Sequence, residues 1–420
     1  MSNDFVKKNY HNIIYTICYL SLLIGFILGE NVTSGPKHDF LHTWNGSMEF
    51  NNNFLLSLLN FENIQNQTRI SPVYLILISF LNDIFKSFDL TRFFLFFIIS
   101  LSQIVYYKIL KIIYYPNIIK EKKVLFILSC VIFISPSFRA NVIWPESAML
   151  GLLLFLIGLY FFLKSQICLK NKYIYLNIVF IALAAYIRPS FALFSIFFFI
   201  YFSLQVKNLK TIIAIILLNI LLAAPALSYV FILEIHFFNV GVKNTGLNLN
   251  YLNKISVIFS IIAFHLIPIL FYKNFFIERS FFKKNYKLIL VTIPISYIFF
   301  IYFNYNLEIT GGGIFLHLSD FIFNNYYMFY LMIPFFIFFL LRLCIIDLKK
   351  NIFILIIIII SIPQFTVYHK YFDPLILILS LTLFNFNITK DFFRKKNLIF
   401  LFSFYGVYYF INFFNHYLIN

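Results

Sequence analysis

The sequence predicts an all-α fold, a polytopic bundle of roughly 11 to 14 transmembrane helices that forms a single integral membrane domain over residues 1–420. Hydrophobic residues make up 61% of the chain and charged residues only 12%, whereas a soluble domain carries about 25% charge. The mean hydropathy is +0.87. The apolar residues are gathered in long runs with short, often basic connections between them, which is the pattern of helices that cross a bilayer.

Each candidate span is an apolar run of roughly bilayer-crossing length, for which about 20 residues are needed. The runs cover approximately 12–29, 70–86, 92–110, 123–136, 147–164, 173–188, 189–206, 211–233, 252–272, 286–304, 326–346, 351–368, 371–386 and 397–415. No small-residue cleavage site follows the first run, so we expect an uncleaved helix there. Two runs meet at Arg188-Pro189, where proline disfavours helix in the preceding residue, and either a tight hairpin or a kinked long helix is expected.

The charge pattern predicts orientation rather than nucleic-acid binding. The net charge is +17, but the Lys and Arg residues cluster in the short connections, as the positive-inside rule requires. Lys7 and Lys8 place the N-terminus in the cytoplasm and therefore place the first loop, residues 30–71, outside. Counting onward puts the basic stretch 108–123 outside, against the rule, so either the segment 70–86 does not fully cross or two helices there are miscounted.

The cysteines indicate neither a metal centre nor a disulfide framework. All four lie in or beside apolar runs without paired spacing, which is typical of small hydrophobic residues. We expect no required cofactor and no metal ligand set, although a divalent metal is compatible with the sequence.

The first loop is the most polar stretch of the chain. It contains Glu30, His38, Asp39, His42 and Arg69. After the Gly35-Pro36 breaker the sequence allows a short interfacial helix on which Asp39 and His42, three residues apart, share a face. A carboxylate beside bulky rings that exclude water can act as a general base; the alternative is that these are ordinary solvated loop residues.

Two arginines stand at the edges of later apolar runs. Arg139 lies in the stretch 135–146, which contains two prolines and Trp144 and is expected to be a short outer loop with its tryptophan at the membrane interface. Arg139 suits a bidentate phosphate contact, or it snorkels to the interface. Arg188 indicates a cavity or a partner if it lies at membrane depth, and neither if it lies at the surface.

Two polar connections follow in the second half. The run Gly311-Gly312-Gly313 lacks the strand and helix of a nucleotide-binding loop, so a flexible connection is expected. The stretch from His369 to Pro374 brings His369, Lys370 and Asp373 together between two apolar runs, which fits either a polar turn or a site for a phosphate or lipid head group.

These features together resemble the GT-C superfamily of membrane glycosyltransferases, bacterial relatives of the dolichyl-phosphate-sugar and protein O-mannosyl enzymes. The resemblance rests on the N-terminal helix, the loop SGPKHDFLHTW, the Arg-x-Ser-Pro sequence from Arg69 to Pro72 and the loop SPSFRANVIWPES. It covers the first half of the chain, and extends to the second half only as a number of helices.

The resemblance implies an enzyme that transfers a hexosyl or pentosyl group from a polyprenyl-phosphate donor to a lipid, glycan or protein acceptor at the outer face of a bacterial inner membrane, in the biosynthesis of cell-envelope polysaccharide. It assigns the catalytic base to Asp39, with Glu30, His38 and His42 as supporting acid or base candidates. By position, the donor phosphate is assigned to Arg69, Arg139, Arg188 and Lys370, with Asp373 nearby. Many members have paired acids in this loop, whereas the neighbour of Asp39 here is His38.

Two other functional classes are compatible with a long helical bundle. A flippase or transporter of lipid-linked saccharides is expected to carry charges inside its spans or an internal repeat, and neither is evident in the sequence. A polysaccharide polymerase is expected to use Arg-rich late outer loops, and the late outer-loop candidates here are poor in arginine.

Overall fold

The computed structural model describes residues 3–33, 35–61, 70–168, 170–235, 250–272, 281–305, 307, 311–364 and 366–419. Throughout these residues the regular structure is helical, which confirms the predicted fold class. The chain forms two compact units. Unit 1 comprises residues 1–241 and 405–420, and unit 2 comprises residues 242–404.

The helices of unit 1 are α1 (Asn3–Leu28), α2 (Gly35–Asn52), α3 (Phe54–Leu59), α4 (Pro72–Phe85), α5 (Phe88–Ser100), α6 (Ser102–Tyr114), α7 (Lys122–Ser129), α8 (Pro136–Ile143), α9 (Ser147–Cys168), α10 (Asn171–Ile187), α11 (Phe194–Gln205) and α12 (Leu209–Leu227). Helix α2 packs against α4, α9 packs against α10 and α6, and α1 contacts α7 and α8.

The helices that begin in unit 2 are α13 (Ile255–Tyr272), α14 (Phe281–Ile301), α15 (Gly313–Phe323), α16 (Tyr327–Cys344), α17 (Leu348–Ile360), α18 (Leu375–Ser380) and α19 (Lys395–Phe414), the last of which continues into unit 1. Helix α13 is central, since it packs against α15, α16 and α18, while α14 packs against α16.

The protein is a multi-pass membrane protein by the length and apolarity of its helices. Within the described residues, 7 helices qualify as spans: Asn9–Leu28, Phe88–Tyr114, Ser147–Cys168, Leu209–Ile232, Ile255–Tyr272, Tyr327–Ile360 and Lys395–Tyr417. The pair Lys122–Phe133 and Pro136–Ile143, bent by 67°, would be an eighth. Shorter apolar helices lie at Pro72–Phe85, Asn171–Ile187, Pro189–Gln205, Asn285–Ile301 and Gly313–Phe323.

The length of helix α4 bears on the orientation of residues 70–123, where counting spans placed the basic stretch 108–123 outside, against the positive-inside rule. It has 14 residues and is therefore about 21 Å long, less than the roughly 30 Å of a hydrocarbon core. This length fits the first of the two explanations, in which the segment does not fully cross the bilayer.

The predicted loop over residues 135–146 is wrong in its first part, because helix α8 occupies Pro136–Ile143. Ser135 caps the helix by accepting a hydrogen bond from the Phe138 N–H, and Pro136 takes the first helical position, where its missing N–H has no helical partner to lose. All eight residues of α8 are buried. Trp144, expected at the membrane interface, is only 6% exposed.

The break expected at Arg188-Pro189 is confirmed. Helix α10 ends at Ile187, and Arg188 adopts an extended conformation with φ −138° and ψ 102°. This is the backbone region to which a following proline restricts a residue.

The glycine run in unit 2 forms a packed turn at the start of α15, unlike the flexible connection expected. Gly312 and Gly313 have positive φ values of 96° and 78°, which favour glycine. The Gly312 N–H donates to the Val367 carbonyl at 3.0 Å. A Cβ at Gly311 would lie 2.7 Å from the Val367 carbonyl oxygen, so backbone segments approach here too closely for a side chain.

Candidate functional site

The polar first loop contains helix α2, which places the predicted base and both histidine candidates on one element. Its buried residues include Phe40, Thr43 and Phe50, and this face anchors the helix in unit 1. Asp39 is half-buried, and its backbone carbonyl accepts a hydrogen bond from the Thr43 hydroxyl at 2.7 Å. The interfacial helix anticipated from the sequence is therefore present as a helix.

His38 and His42 are in contact one helical turn apart. Their Nε2 atoms are 3.2 Å apart and their ring centroids 4.3 Å apart, and both side chains are exposed. In this contact one imidazole donates and the other accepts. The two histidines lie one residue before and three residues after Asp39 in the sequence of α2.

Glu30 and Arg139 form a buried ion pair between the end of α1 and helix α8. Arg139 Nη2 lies 2.6 Å from Glu30 Oε2 and Nε lies 2.9 Å from Oε1. The Arg139 and Glu30 side chains are 5% and 10% exposed. This bidentate arrangement is the geometry in which guanidinium and carboxylate bind most strongly.

The remaining N–H groups of Arg139 are also used inside unit 1. Nη1 donates to the Ser21 hydroxyl at 3.0 Å and to the Phe133 carbonyl at 3.4 Å, and Nη2 also donates to the Ser21 carbonyl at 3.0 Å. A guanidinium has five N–H donors, so none remains for a phosphate in this arrangement. Here Arg139 holds α8 against α1, and phosphate binding by Arg139 stays a prediction that requires the pair with Glu30 to open.

Trp144 is the common neighbour of these groups. Its indole N–H donates to the Glu30 carbonyl at 3.1 Å. The guanidinium carbon of Arg92 lies 3.9 Å from the centroid of the Trp144 ring, and the ammonium of Lys37 lies 5.3 Å from it. Trp144 thus contacts both Glu30, just after α1, and Lys37, in the first turn of α2. Lys37 precedes Asp39 by two residues.

Arg92 was not recognised as a site residue in the sequence. It is 7% exposed and donates to the carbonyls of Ile143 and Phe26 at 2.8 and 3.0 Å. An arginine at the beginning of a long apolar run is the available signal, because a charge at that depth needs partners. The partners of Arg92 are backbone carbonyls and aromatic rings, and no sequence motif predicts such contacts.

The other predicted phosphate ligands are not brought to this cluster by the described contacts. Arg69 lies outside the described residues. Arg188 is half-buried at the end of α10, and its Cβ would lie 2.9 Å from a Cβ placed on Gly151. Lys370 and Asp373 belong to unit 2, where Lys370 is half-buried and Asp373 is 1% exposed.

A second polar cluster in unit 2 surrounds His369. Its Nε2 accepts a hydrogen bond from the Ile314 N–H at 3.1 Å, so the ring proton resides on Nδ1, which lies 3.2 Å from His265 Nε2. His265 therefore accepts at Nε2. Burial, followed by the nearby charge of His317, lowers the pKa of His369 to about 3, which keeps this imidazole neutral at physiological pH.

Lys254 is a buried cation that the sequence reasoning also missed. Its ammonium donates to the carbonyls of Ile362 and Gln364 at 3.2 and 2.7 Å. Burial lowers the pKa of Lys254 to about 8. These contacts tie the beginning of α13 to the segment after α17, which is a structural role within unit 2.

In the described part of the chain, no group of three or more His, Cys, Asp and Glu side chains is arranged to hold a metal ion. Comparison with protein-family models, curated proteins and solved structures finds no match. The function has therefore to be inferred from the residues of the chain itself.

Proposed function

We propose that this protein is a glycosyltransferase of a bacterial inner membrane, which transfers a sugar from a polyprenyl-phosphate donor to a lipid, glycan or protein acceptor at the outer face. The observation that carries the proposal is helix α2. It follows the first span directly, is anchored by a buried aromatic face, and carries a half-buried carboxylate beside two exposed imidazoles.

Asp39 is the proposed general base. It removes the proton of the acceptor hydroxyl while the acceptor oxygen forms a bond to the anomeric carbon, and the bond from that carbon to the phosphate oxygen breaks. The leaving group is polyprenyl phosphate, which keeps the electron pair of the broken bond. Glu30 and Arg139 neutralise each other in the buried pair. This favours a structural role, in which the pair fixes the start of the loop 30–71 that carries Asp39.

The His38 and His42 pair is proposed to support proton transfer. Because the two rings are 3.2 Å apart at their Nε2 atoms and exposed, either ring can exchange a proton with water. A hydrogen-bonded imidazole on the same helix as the base can pass on the proton that the base has accepted. The donor phosphate requires cations as well, and the sequence candidates for that role remain Arg69, Arg188 and Lys370.

The test is transfer of sugar from radiolabelled polyprenyl-phosphate donors to membrane acceptors, with wild type compared with Asp39→Asn at matched expression. Loss of a general base is expected to lower the rate by about 10²- to 10⁴-fold. Glu49→Gln is the matched control, because it removes another half-buried carboxylate from the same helix, and it should retain transfer.

Each remaining outcome would contradict part of the proposal. Unchanged transfer in Asp39→Asn would remove Asp39 from the site while leaving the enzyme class standing. No transfer by wild type from any donor would count against the class and favour a transporter of lipid-linked saccharides.

A further inference from the structure

A cavity of about 700 Å³ lies in unit 2 between the C-terminal end of α13 and the N-terminal end of α19. Pockets of this size are in the range that holds small-molecule ligands. We call it the α13/α19 cavity. None of its lining residues is assigned to the proposed transfer site.

The two helix ends at the cavity are held side by side. The rings of Phe271 and Phe400 stack with centroids 4.1 Å apart. The Tyr272 hydroxyl lies 2.6 Å from the Thr389 hydroxyl. Because α13 ends and α19 begins here, and both belong to candidate spans, the cavity lies where the spans leave the membrane.

The rim of the cavity is basic. The segment 390–396 contains Lys390, Arg394, Lys395 and Lys396 against the single acid Asp391. Asp391 pairs with Arg394 at 2.6 Å and so holds this guanidinium at the rim, where Lys396 also lines the cavity. One carboxylate cannot balance four cations, so the segment keeps an excess of positive charge, and two of its cations, Arg394 and Lys396, line the cavity.

One wall of the cavity carries the apolar side chains Phe271, Ile399 and Phe400. Lys396, Ile399 and Ser403 are spaced as residues of one helix face, and all three line the cavity, which therefore extends about 10 Å along α19. Phe271 and Ile399 are 55% and 54% exposed although they belong to spans. A ligand that is anionic at one end and apolar along its length matches both the basic rim and these side chains.

We propose that the α13/α19 cavity binds an anionic phospholipid of the cytoplasmic leaflet, with its phosphate at Arg394 and Lys396 and an acyl chain along Phe271 and Ile399. The basic segment 390–396 places this end of the helices on the cytoplasmic side by the positive-inside rule. Basic pockets between transmembrane helices on that side are suited to anionic head groups. A free phosphate would use the rim and leave the apolar wall uncovered.

The experiment uses the full-length protein, delipidated in neutral detergent micelles, and follows the unfolding midpoint as phosphatidylglycerol is added. Wild type should be stabilised by phosphatidylglycerol and much less by phosphatidylcholine. The double variant Arg394→Gln, Lys396→Gln should require about 30-fold more phosphatidylglycerol, because each basic residue near a lipid surface contributes about 1 kcal/mol and every 1.4 kcal/mol is tenfold.

The matched control is Lys207→Gln with Lys210→Gln, which removes two exposed cations from a basic connection of unit 1. It should respond to phosphatidylglycerol as wild type does. A third variant, Ile399→Trp, keeps the rim and fills the apolar wall, and it should also lose the response. It tests the cavity even if the charge variant does not fold.

The proposal is overturned by any of three results: an equal shift in wild type and in the cavity variants, an equal shift with phosphatidylcholine, or full stabilisation by glycerol phosphate without acyl chains. The last result would assign the rim to a soluble phosphate. Sugar transfer is not part of this readout, so the outcome is independent of the proposed enzymatic function.

Discussion

At the scale of single residues, several buried charges in the described part of the chain contact an opposite charge or carbonyl groups. Glu30 and Arg139 neutralise each other, Arg92 lies between aromatic faces and carbonyls, and Lys254 donates to two carbonyls. In a chain with so little charge, each of these contacts fixes one segment to another, because leaving a buried ion without its partner is strongly destabilising.

The Glu30–Arg139 pair gives the first prediction. Glu30→Gln leaves the Arg139 charge buried without its counter-ion and should destabilise the protein by about 3–5 kcal/mol, measured by unfolding in detergent micelles. The exposed Glu121→Gln is the control and should change stability by less than about 0.5 kcal/mol. The double variant Glu30→Leu with Arg139→Met removes both charges and should recover much of the loss; no recovery would show that the pair contributes more than charge balance.

His369 predicts how stability depends on pH. Its pKa is lowered from 6.5 to about 3, so the unfolded chain binds a proton at a pH where the folded protein does not. Stability should therefore fall as the pH drops below 6.5, by up to about 2 kcal/mol at pH 5. The groups facing it are His265 on α13 and His317 on α15, with Lys370 adjacent in the chain.

The variant His369→Gln checks this pH dependence. Glutamine does not titrate, and its carbonyl oxygen can still accept the hydrogen bond from the Ile314 N–H. The variant should lose less stability between pH 7 and pH 5 than wild type, whereas the exposed His42→Gln should keep the wild-type dependence. Identical curves for all three proteins would mean that His369 does not carry the effect.

At the scale of elements, helix ends follow local sequence rules and helix contacts do not. Ser135-Pro136 begins α8 and Arg188-Pro189 ends α10, in both cases through backbone restrictions that can be read from two residues. The 67° bend before α8 lies at the same Ser135-Pro136 break. The contacts of α8 with α1 and α5, in contrast, are made by segments that are distant in sequence.

The contact between α1 and α8 yields a prediction at Gly25. A Cβ there would lie 2.5 Å from Glu30 Oε2 and 2.9 Å from Arg139 Nη2, and both atoms are held by the ion pair. Gly25→Ala should therefore destabilise the protein by about 1–3 kcal/mol. Gly406→Ala on α19 meets nothing within 4 Å, so it should be neutral or stabilising by up to about 1 kcal/mol. Equal effects in an unfolding titration would argue against the close contact.

At the scale of the whole molecule, apolar helix lengths define a multi-pass membrane protein, and basic connections predict its orientation. Cys168 offers a test because it is exposed at the end of the span Ser147–Cys168, whereas Cys18, Cys130 and Cys344 are buried. Lys170 and Lys172 follow it, and the positive-inside rule therefore predicts that it lies on the cytoplasmic side.

A membrane-impermeant maleimide should therefore label the protein in inside-out vesicles and not in right-side-out vesicles. Cys168→Ser should abolish the labelling, because the other three thiols are enclosed by helices. Labelling from the outer side would reverse the predicted orientation, and labelling that persists in Cys168→Ser would show that a buried thiol is accessible.

The sequence by itself determined the helical class, the membrane location and the break at Arg188, because hydropathy and proline geometry act over neighbouring residues. It allowed the helix that carries Asp39 without requiring it. Only the tertiary structure decided that Glu30 and Arg139, 109 residues apart, satisfy each other, that Trp144 is buried with Arg92 and Lys37 close to its ring, and that the glycine run is a packed turn. These outcomes depend on which distant segments meet, and a buried charge or backbone group is stabilised by whichever partner the fold brings to it.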